Sequence, residues 1–247
     1  MLSKSEVKYI QSLQQKKFRD VHKAFVAEGP KVVGELIQQK TFVVKKIYAL
    51  EEWFLSNGDS LQLRNEEVVI VKEFELEKIS FLATANQVLA VFAHKKDDDF
   101  KPLAGKITLM LEDIRDPGNF GTIIRIADWF GVSDVVCSKN CVDMYNPKVV
   151  QSTMASLGRV NIHYSSLEDV CRKFPEAKIY AAVLGGIPLP EVKVDLPAFL
   201  LIGNEGAGLS ETIISMASEK ISIPGAGGAE SLNAAVATGI LLYSFTR

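Results

Sequence analysis

From Ile107 onward the chain alternates short apolar runs with longer stretches of helical periodicity, and this alternation restricts its fold more than any other feature. The runs at 107–111, 134–137, 160–163, 178–184, 198–202 and 220–223 read as strands, and the stretches at 119–130, 147–157, 167–174, 210–217 and 231–245 read as helices. Parallel neighbours in a sheet need a crossover long enough to hold a helix, so this order predicts a largely parallel sheet covered by helices on both faces. The expected class is α/β. Ligands in such sheets gather outside the carboxyl ends of the strands.

A smaller α/β unit is expected ahead of it. Residues 3–17 place Val7, Ile10 and Leu13 at helical spacing behind Ser3 or Ser5 as N-cap, and Gly29-Pro30 opens a second helix carrying Val33, Leu36 and Ile37 on one face. Three β-rich runs follow at 41–50, 67–71 and 87–94, separated by helical stretches near 51–56 and 73–84. Lys95-Lys96-Asp97-Asp98-Asp99-Phe100-Lys101-Pro102 is charged, carries a proline and lacks periodicity. The predicted organisation is a first domain at 1–94, a linker at 95–106 and a second domain at 107–247.

Composition narrows the function classes. Hydrophobic residues at 47% and charged residues at 23% are those of a folded globular chain, and no apolar run reaches the 18 or more residues of a spanning helix. The start, Met1-Leu2-Ser3-Lys4, has neither signal-peptide nor transit-peptide character, which predicts a cytoplasmic protein without membrane attachment. Cys137, Cys141 and Cys171 form no Cys-x-x-Cys, and His22, His94 and His163 lie far apart, so no metal site is expected. The net charge of −2 hides an asymmetry, with 17 basic against 15 acidic residues in 1–106 and 11 against 15 in 107–247. Lys4, Lys8, Lys16, Lys17, Arg19 and Lys23 face only Glu6 and Asp20 in the first 25 residues. They form either a phosphate-facing segment or a solvated helix face.

Three segments share one design, an apolar strand running into a turn rich in glycine and polar residues. In the first, Pro117-Gly118 makes the turn and Asn119 is placed to cap the following helix. Arg125 lies on that helix about 140° away from Phe120, off the face made by Phe120, Ile123, Ile124 and Ala127; its plainer reading is a surface arginine paired with Asp128. The second, from Gly203 to Ser210, nearly spells a phosphate-binding loop, but Leu209 stands where the lysine belongs and Glu205 would repel phosphates. The third, from Ile223 to Asn233, is a poor dinucleotide fingerprint, because Glu230 takes the place of the third glycine; Ser231 reads most plainly as a helix N-cap.

Together these segments resemble the signature motifs of the SpoU-type (TrmH-like) RNA ribose 2′-O-methyltransferases of the SPOUT superfamily. Asn119, Gly121 and Arg125 are similar to the first motif, and Gly203, Glu205, Gly206 and Gly208 to the second. Ile223, Pro224, Ser231, Leu232 and Asn233 are similar to the third. Residues 1–94 resemble the family's small, ribosomal-protein L30e-like substrate-binding domain through Arg19, Phe25, Glu28 and Gly29. Gly225-Ala226-Gly227-Gly228-Ala229 departs from the family, which carries Met and Val there.

The resemblance implies S-adenosylmethionine as cofactor, held at Gly203, Ile223 and Leu232 with Leu184 and Gly185, and no metal. It implies that Arg125 activates the ribose hydroxyl while Asn119, Glu205, Ser231 and Asn233 orient Arg125 and the nucleotide. An arginine keeps its proton at any ordinary pH and is a poor literal base, so Arg125 is expected to hold the RNA phosphate and make the hydroxyl easier to deprotonate. The resemblance further implies a C-terminal trefoil knot, a homodimer through the catalytic domain, and ribosomal rather than transfer RNA as substrate. A non-catalytic RNA-binding protein that keeps the methyltransferase fold is the competing expectation, left open by the altered 225–229 loop.

Overall fold

Residues 2–63, 67–96 and 100–247 are described in the structure, a computed structural model. Asp97, Asp98 and Asp99 of the expected linker lie outside the described residues. The chain divides into two units, the first formed by residues 1–96 with 143–159 and the second by 97–142 with 160–247. No helix among the described residues is long and apolar enough to cross a membrane.

The first unit is built on a four-stranded sheet of order β1-β4-β2-β3, with β1 Ala24–Glu28, β2 Val44–Ala49, β3 Val68–Ile70 and β4 Val88–Ala93. β4 is antiparallel to both β1 and β2, whereas β3 runs parallel to β2. β1 is a strand that the sequence pattern does not reveal. Every one of its five residues is buried, so it has no polar-apolar alternation, and a short unalternating run cannot be told from helix by periodicity. The single helix expected at 3–17 is two. α1 (Lys4–Ser12) begins in a capping box in which Ser3 and Glu6 bond each other's backbone N–H, and α2 (Lys16–His22) ends at Lys23 in left-handed conformation, φ 46°. α3 (Pro30–Gln39) starts at the proline, as expected, and buries Val32, Val33 and Leu36. α4 (Glu51–Asn57) and α5 (Glu73–Ile79) complete the N-terminal part.

Residues 143–159 pack into this unit rather than with the strands that flank them in sequence. Arg19, only 2% exposed, donates from Nε and Nη2 to Asp143 Oδ2 at 3.0 and 2.7 Å and from Nη1 to the carbonyls of Leu13 and Gln14. Its charge is thus consumed inside the fold, and Lys16 is paired with Asp20. Two of the six cations counted toward a phosphate-facing segment are engaged elsewhere. The Tyr145 ring stacks on His94 and Phe25, and Thr41 donates to the Gly158 carbonyl. The helix expected at 147–157 stops early: α7 covers Pro147–Ser152, Met154 and Ala155 take positive φ, and a short 3-10 turn follows at Ser156–Gly158.

The second unit carries a six-stranded, wholly parallel sheet of order β10-β8-β9-β5-β6-β7. Its strands are β5 (Ile107–Leu111), β6 (Asp134–Cys137), β7 (Asn161–Tyr164), β8 (Lys178–Pro188), β9 (Ala198–Ile202) and β10 (Glu219–Ser222). The central strands β5 and β9 are buried along their whole length. α6 (Pro117–Trp129) buries Phe120, Ile123, Ile124 and Ala127, the face read from the sequence. α8 (Leu167–Lys173), α9 (Glu211–Met216) and α10 (Ala234–Phe245) complete the helices. The α/β class with its parallel sheet is as expected.

Candidate active site

Strand order brings the three motifs together. β5 and β9 are neighbours with Leu111 opposite Ile202, and β8 and then β10 follow beyond β9, so the segments after β5, β9 and β10 all leave from the carboxyl edge of the sheet, the first two side by side and the third two strands from β9. The chain runs from β5 out through β6 to β7 and then returns to the other side of β5. That reversal is the place where open parallel sheets hold ligands.

Hydrogen bonds join the three segments directly. Asn233 Nδ2 donates to Asn119 Oδ1 at 2.9 Å, and Asn119 Nδ2 donates to Glu205 Oε1 at 2.8 Å. One residue from each motif thus forms a continuous chain ending on a carboxylate. Asn119 does not cap α6; Asp116 does, accepting from the Asn119 backbone N–H at 2.7 Å, which releases the Asn119 side chain for this chain. Ser231 is not a cap either. Asn233 caps α10, accepting from the backbone of Ala235 and Val236, so the helix starts at Ala234 rather than 231. Ser231 is exposed and makes no hydrogen bond among the described residues.

Arg125 is exposed on α6, pointing away from the buried face as its angular position requires. Among the described residues it forms no ion pair, so the expected bridge to Asp128 is absent. The exposed guanidinium retains all of its donors.

Gly203 turns out to serve the loop itself. A Cβ placed there would lie 2.2 Å from the Gly208 carbonyl carbon and 2.4 Å from the Leu209 nitrogen. The loop closes on itself through reciprocal Asn204–Gly208 backbone hydrogen bonds, with Gly208 at φ +69°. This close approach is by itself a reason for glycine at 203, separate from the cofactor contact that the resemblance implies there. Gly186 has the same kind of role, because a Cβ there would lie 2.6 Å from the Lys220 carbonyl.

Three supporting residues escape a motif reading. Glu112 accepts from the backbone N–H and hydroxyl of Ser210, both at 2.7 Å, tying the end of β5 to the start of α9. Asn204 donates to the Asp113 carbonyl at 2.8 Å and accepts from the N–H groups of Gly206 and Ala207. An Asn that bonds the backbone two residues on is a recognisable turn signal, so Asn204 was legible in principle. Asp113 holds positive φ and accepts from Ser138, Arg115 and Asn140. Burial pushes its carboxyl up, but these donors outweigh burial and hold it below the usual range.

The surfaces beside these loops suit a ligand with an apolar body and polar edges. The β8–β10 register jumps from Lys220 opposite Ala181 to Ile221 opposite Ile187, so residues 182–186 loop out of the ladder. Leu184 at the crest is 80% exposed, and Gly185 takes φ +73° with open space around it. Ile223 is half-buried and Leu232 is exposed. Residues 225–232 make no hydrogen bond among the described residues, so their backbone donors and acceptors are open to a ligand. Gly225, Gly227 and Gly228 have open space around them, and nothing in the structure requires glycine there. Among the described residues no group of three His, Cys, Asp or Glu side chains could hold a metal ion.

Comparison with known proteins agrees with this arrangement. The profile of the SpoU rRNA Methylase family matches residues 106–243, and that of an MRM3-like substrate binding domain matches residues 4–90. A 23S rRNA (guanosine(2553)-2′-O)-methyltransferase of Bacillus subtilis is 29% identical, covering 96% of this chain and 94% of the relative. A 23S rRNA (uridine(2479)-2′-O)-methyltransferase of Streptomyces viridochromogenes is 32% identical, covering 75% of this chain and 68% of the relative. The AdoMet-bound rRNA methyltransferase from Sinorhizobium meliloti superposes with a TM-score of 0.88 at 31% identity, over 99% of this chain and 96% of its own. The chain belongs to the SpoU rRNA Methylase family.

Proposed function

We propose that this protein methylates a ribose 2′-hydroxyl of ribosomal RNA, with S-adenosylmethionine as methyl donor. The observation that carries this reading is the side-chain relay from Asn233 through Asn119 to Glu205, one residue from each motif, with Arg125 exposed on the same helix as Asn119 and unpaired among the described residues. The relatives named above support RNA, and ribosomal RNA in particular, as the substrate.

The open backbone of 225–232, together with Ile223, Leu232, Leu184 and Gly185, would hold the cofactor, Gly203 keeping the neighbouring loop closed. When bound, S-adenosylmethionine supplies an activated methyl group. The protein's own contribution is position and charge. Arg125 binds the RNA phosphate and stabilises the developing alkoxide, which lowers the hydroxyl's pKa without the arginine losing a proton, and the hydroxyl's proton passes to solvent water. Asn119, Glu205 and Asn233 fix the relative placement of the loops, and Ser231 adds a free hydroxyl toward the nucleotide. Preorganised geometry of this kind is worth several kcal/mol of the barrier, on the order of 7–11 when reacting groups are fully aligned. The family's C-terminal trefoil knot is part of the same proposal.

A homodimer is also proposed. α10 is apolar on nearly every side, and Val236, Ile240 and Tyr243 form an exposed stripe at i, i+4 and i+7. Trp129 at the end of α6 is 84% exposed, and Phe130 lies edge-on to Tyr243. A second copy would cover this face.

The test is transfer of a labelled methyl group from S-adenosylmethionine to purified ribosomal RNA, with the modified position mapped by resistance to alkaline cleavage. Label on a ribose 2′-oxygen is expected. Label on a base, or none on any RNA, would overturn the assignment.

A further inference from the structure

A cleft of about 450 Å³ opens within the first unit, and none of its residues belongs to the three motifs. Its walls are the end of β1 with Glu28, the segment after α5 with Phe81 and Leu82, and α7 with Asn146, Lys148 and Gln151. A volume of this size falls within the roughly 300–1,000 Å³ of ordinary small-ligand sites.

The lining restricts the ligand's chemistry. Val26, Leu82, Val150 and the aromatic Phe81 offer apolar surface for a flat ring. The side-chain amides of Gln14 and Gln151 have no hydrogen-bond partner among the described residues, so each presents an unused donor and acceptor. Glu28 is the one carboxylate in the wall, and it argues against an anionic group seated inside. Its two oxygens already accept from the Ser80 hydroxyl and the Phe81 backbone N–H. A carboxylate has about four acceptor positions, so two remain, one on each oxygen. Those remaining positions call for two adjacent N–H donors. Among the four RNA bases, guanine alone carries two adjacent donors on its pairing edge, N1–H and the 2-amino group. Lys148, exposed at the rim, is placed to meet the phosphate of the same nucleotide.

We propose that this cleft holds one unpaired guanine of the RNA substrate, its N1–H and 2-amino edge toward Glu28, and so contributes to the choice of RNA. The proposal rests on RNA being the substrate. Burial raises the Glu28 carboxyl above its ordinary value against the lowering effect of Ser80 and Phe81, and two further donors would favour its charged form.

The experiment uses the full chain and three fluorescein-labelled heptanucleotides: uridines with one central guanine, the same with inosine, and uridine throughout. Inosine removes the 2-amino donor and changes nothing else. The guanine heptamer should bind at least about tenfold tighter than the other two, the size of effect expected from losing one member of a bidentate contact. Glu28→Gln should abolish that preference while leaving S-adenosylmethionine affinity unchanged. Because Glu28 also braces Ser80 and Phe81, Leu82→Trp, which narrows the cleft beside Phe81 and keeps the carboxylate, provides a second variant with the same expected loss. Equal binding of all three heptamers by the wild type, or a preference that survives Leu82→Trp, would overturn the cleft assignment. Guanosine monophosphate binding as tightly as the guanine heptamer would overturn the RNA part of it. If the wild type methylates ribosomal RNA but ignores the guanine–inosine change, only this inference fails; if it methylates no RNA, the proposed function itself fails.

Discussion

Arg125 is the residue on which the proposed chemistry turns. Because it is exposed and pairs with nothing among the described residues, Arg125→Ala should change stability by no more than about 0.5 kcal/mol. The methyl-transfer rate should fall by a factor of at least ~100 with cofactor affinity unchanged, the scale for losing a group that assists proton transfer. Arg125→Lys should rescue little, since a lysine keeps the charge and loses the planar fork. Single-turnover rates on both variants decide the matter, and a fully active alanine variant removes Arg125 from the mechanism. Gly203 gives the opposite expectation. The collision of any Cβ with Gly208 and Leu209 means that Gly203→Ala must open the loop, at a cost of about 1–3 kcal/mol. Its melting midpoint should drop together with cofactor binding; an unchanged midpoint would mean the loop is not closed as described.

Among the elements, the turn between β5 and α6 depends on the charge of Asp113. Its carboxyl titrates below the unfolded value, so its contribution to stability is present above the unfolded pKa of about 3.9 and is lost as pH falls through the lower folded value. In acid titrations below about pH 5, wild type should therefore lose stability more steeply than Asp113→Asn. Equal slopes would show that Ser138, Arg115 and Asn140 do not favour the charged form. Glu28 has the opposite sign, since its raised value means that its contribution is fully present below the unfolded pKa and declines as pH rises through the folded one. The two carboxyls belong to different units and oppose each other in the overall pH profile.

For the whole molecule, the excursion at 143–159 changes what a truncation does. Val149, Val150, Ala155 and Leu157 are buried with the first unit, so deleting residues 1–94 strips their partners away. The shortened protein should aggregate or bind a hydrophobic dye, whereas a chain cut at a simple linker would stay soluble and keep its cofactor affinity. The apolar stripe on α10 sets the assembly expectation. Tyr243→Glu should convert a dimer to a monomer in sedimentation experiments, and a wild type that sediments as a monomer at micromolar concentration would end the dimer proposal.

By itself the sequence determined what local chemistry controls. The bounds of β5, β6 and β9, the start of α3 at Pro30, the Ser3 cap and the buried face of α6 follow from periodicity and capping, which act within a turn or two of chain. The three motif loops were legible for the same reason, each lying where an apolar strand ends. Tertiary structure decided everything that depends on a partner distant in sequence. β1 exists because β4 pairs with it, and Asn119 is freed from capping because Asp116 replaces it while Glu205 and Asn233 arrive from two other strand ends. Arg19 became a buried brace through Asp143, which lies 124 residues away in sequence. Gly203 acquired its reason from the return of its own loop. Local propensities fix only the backbone around each residue, whereas the strand order and the close approach of distant segments are set by burial summed over the whole chain.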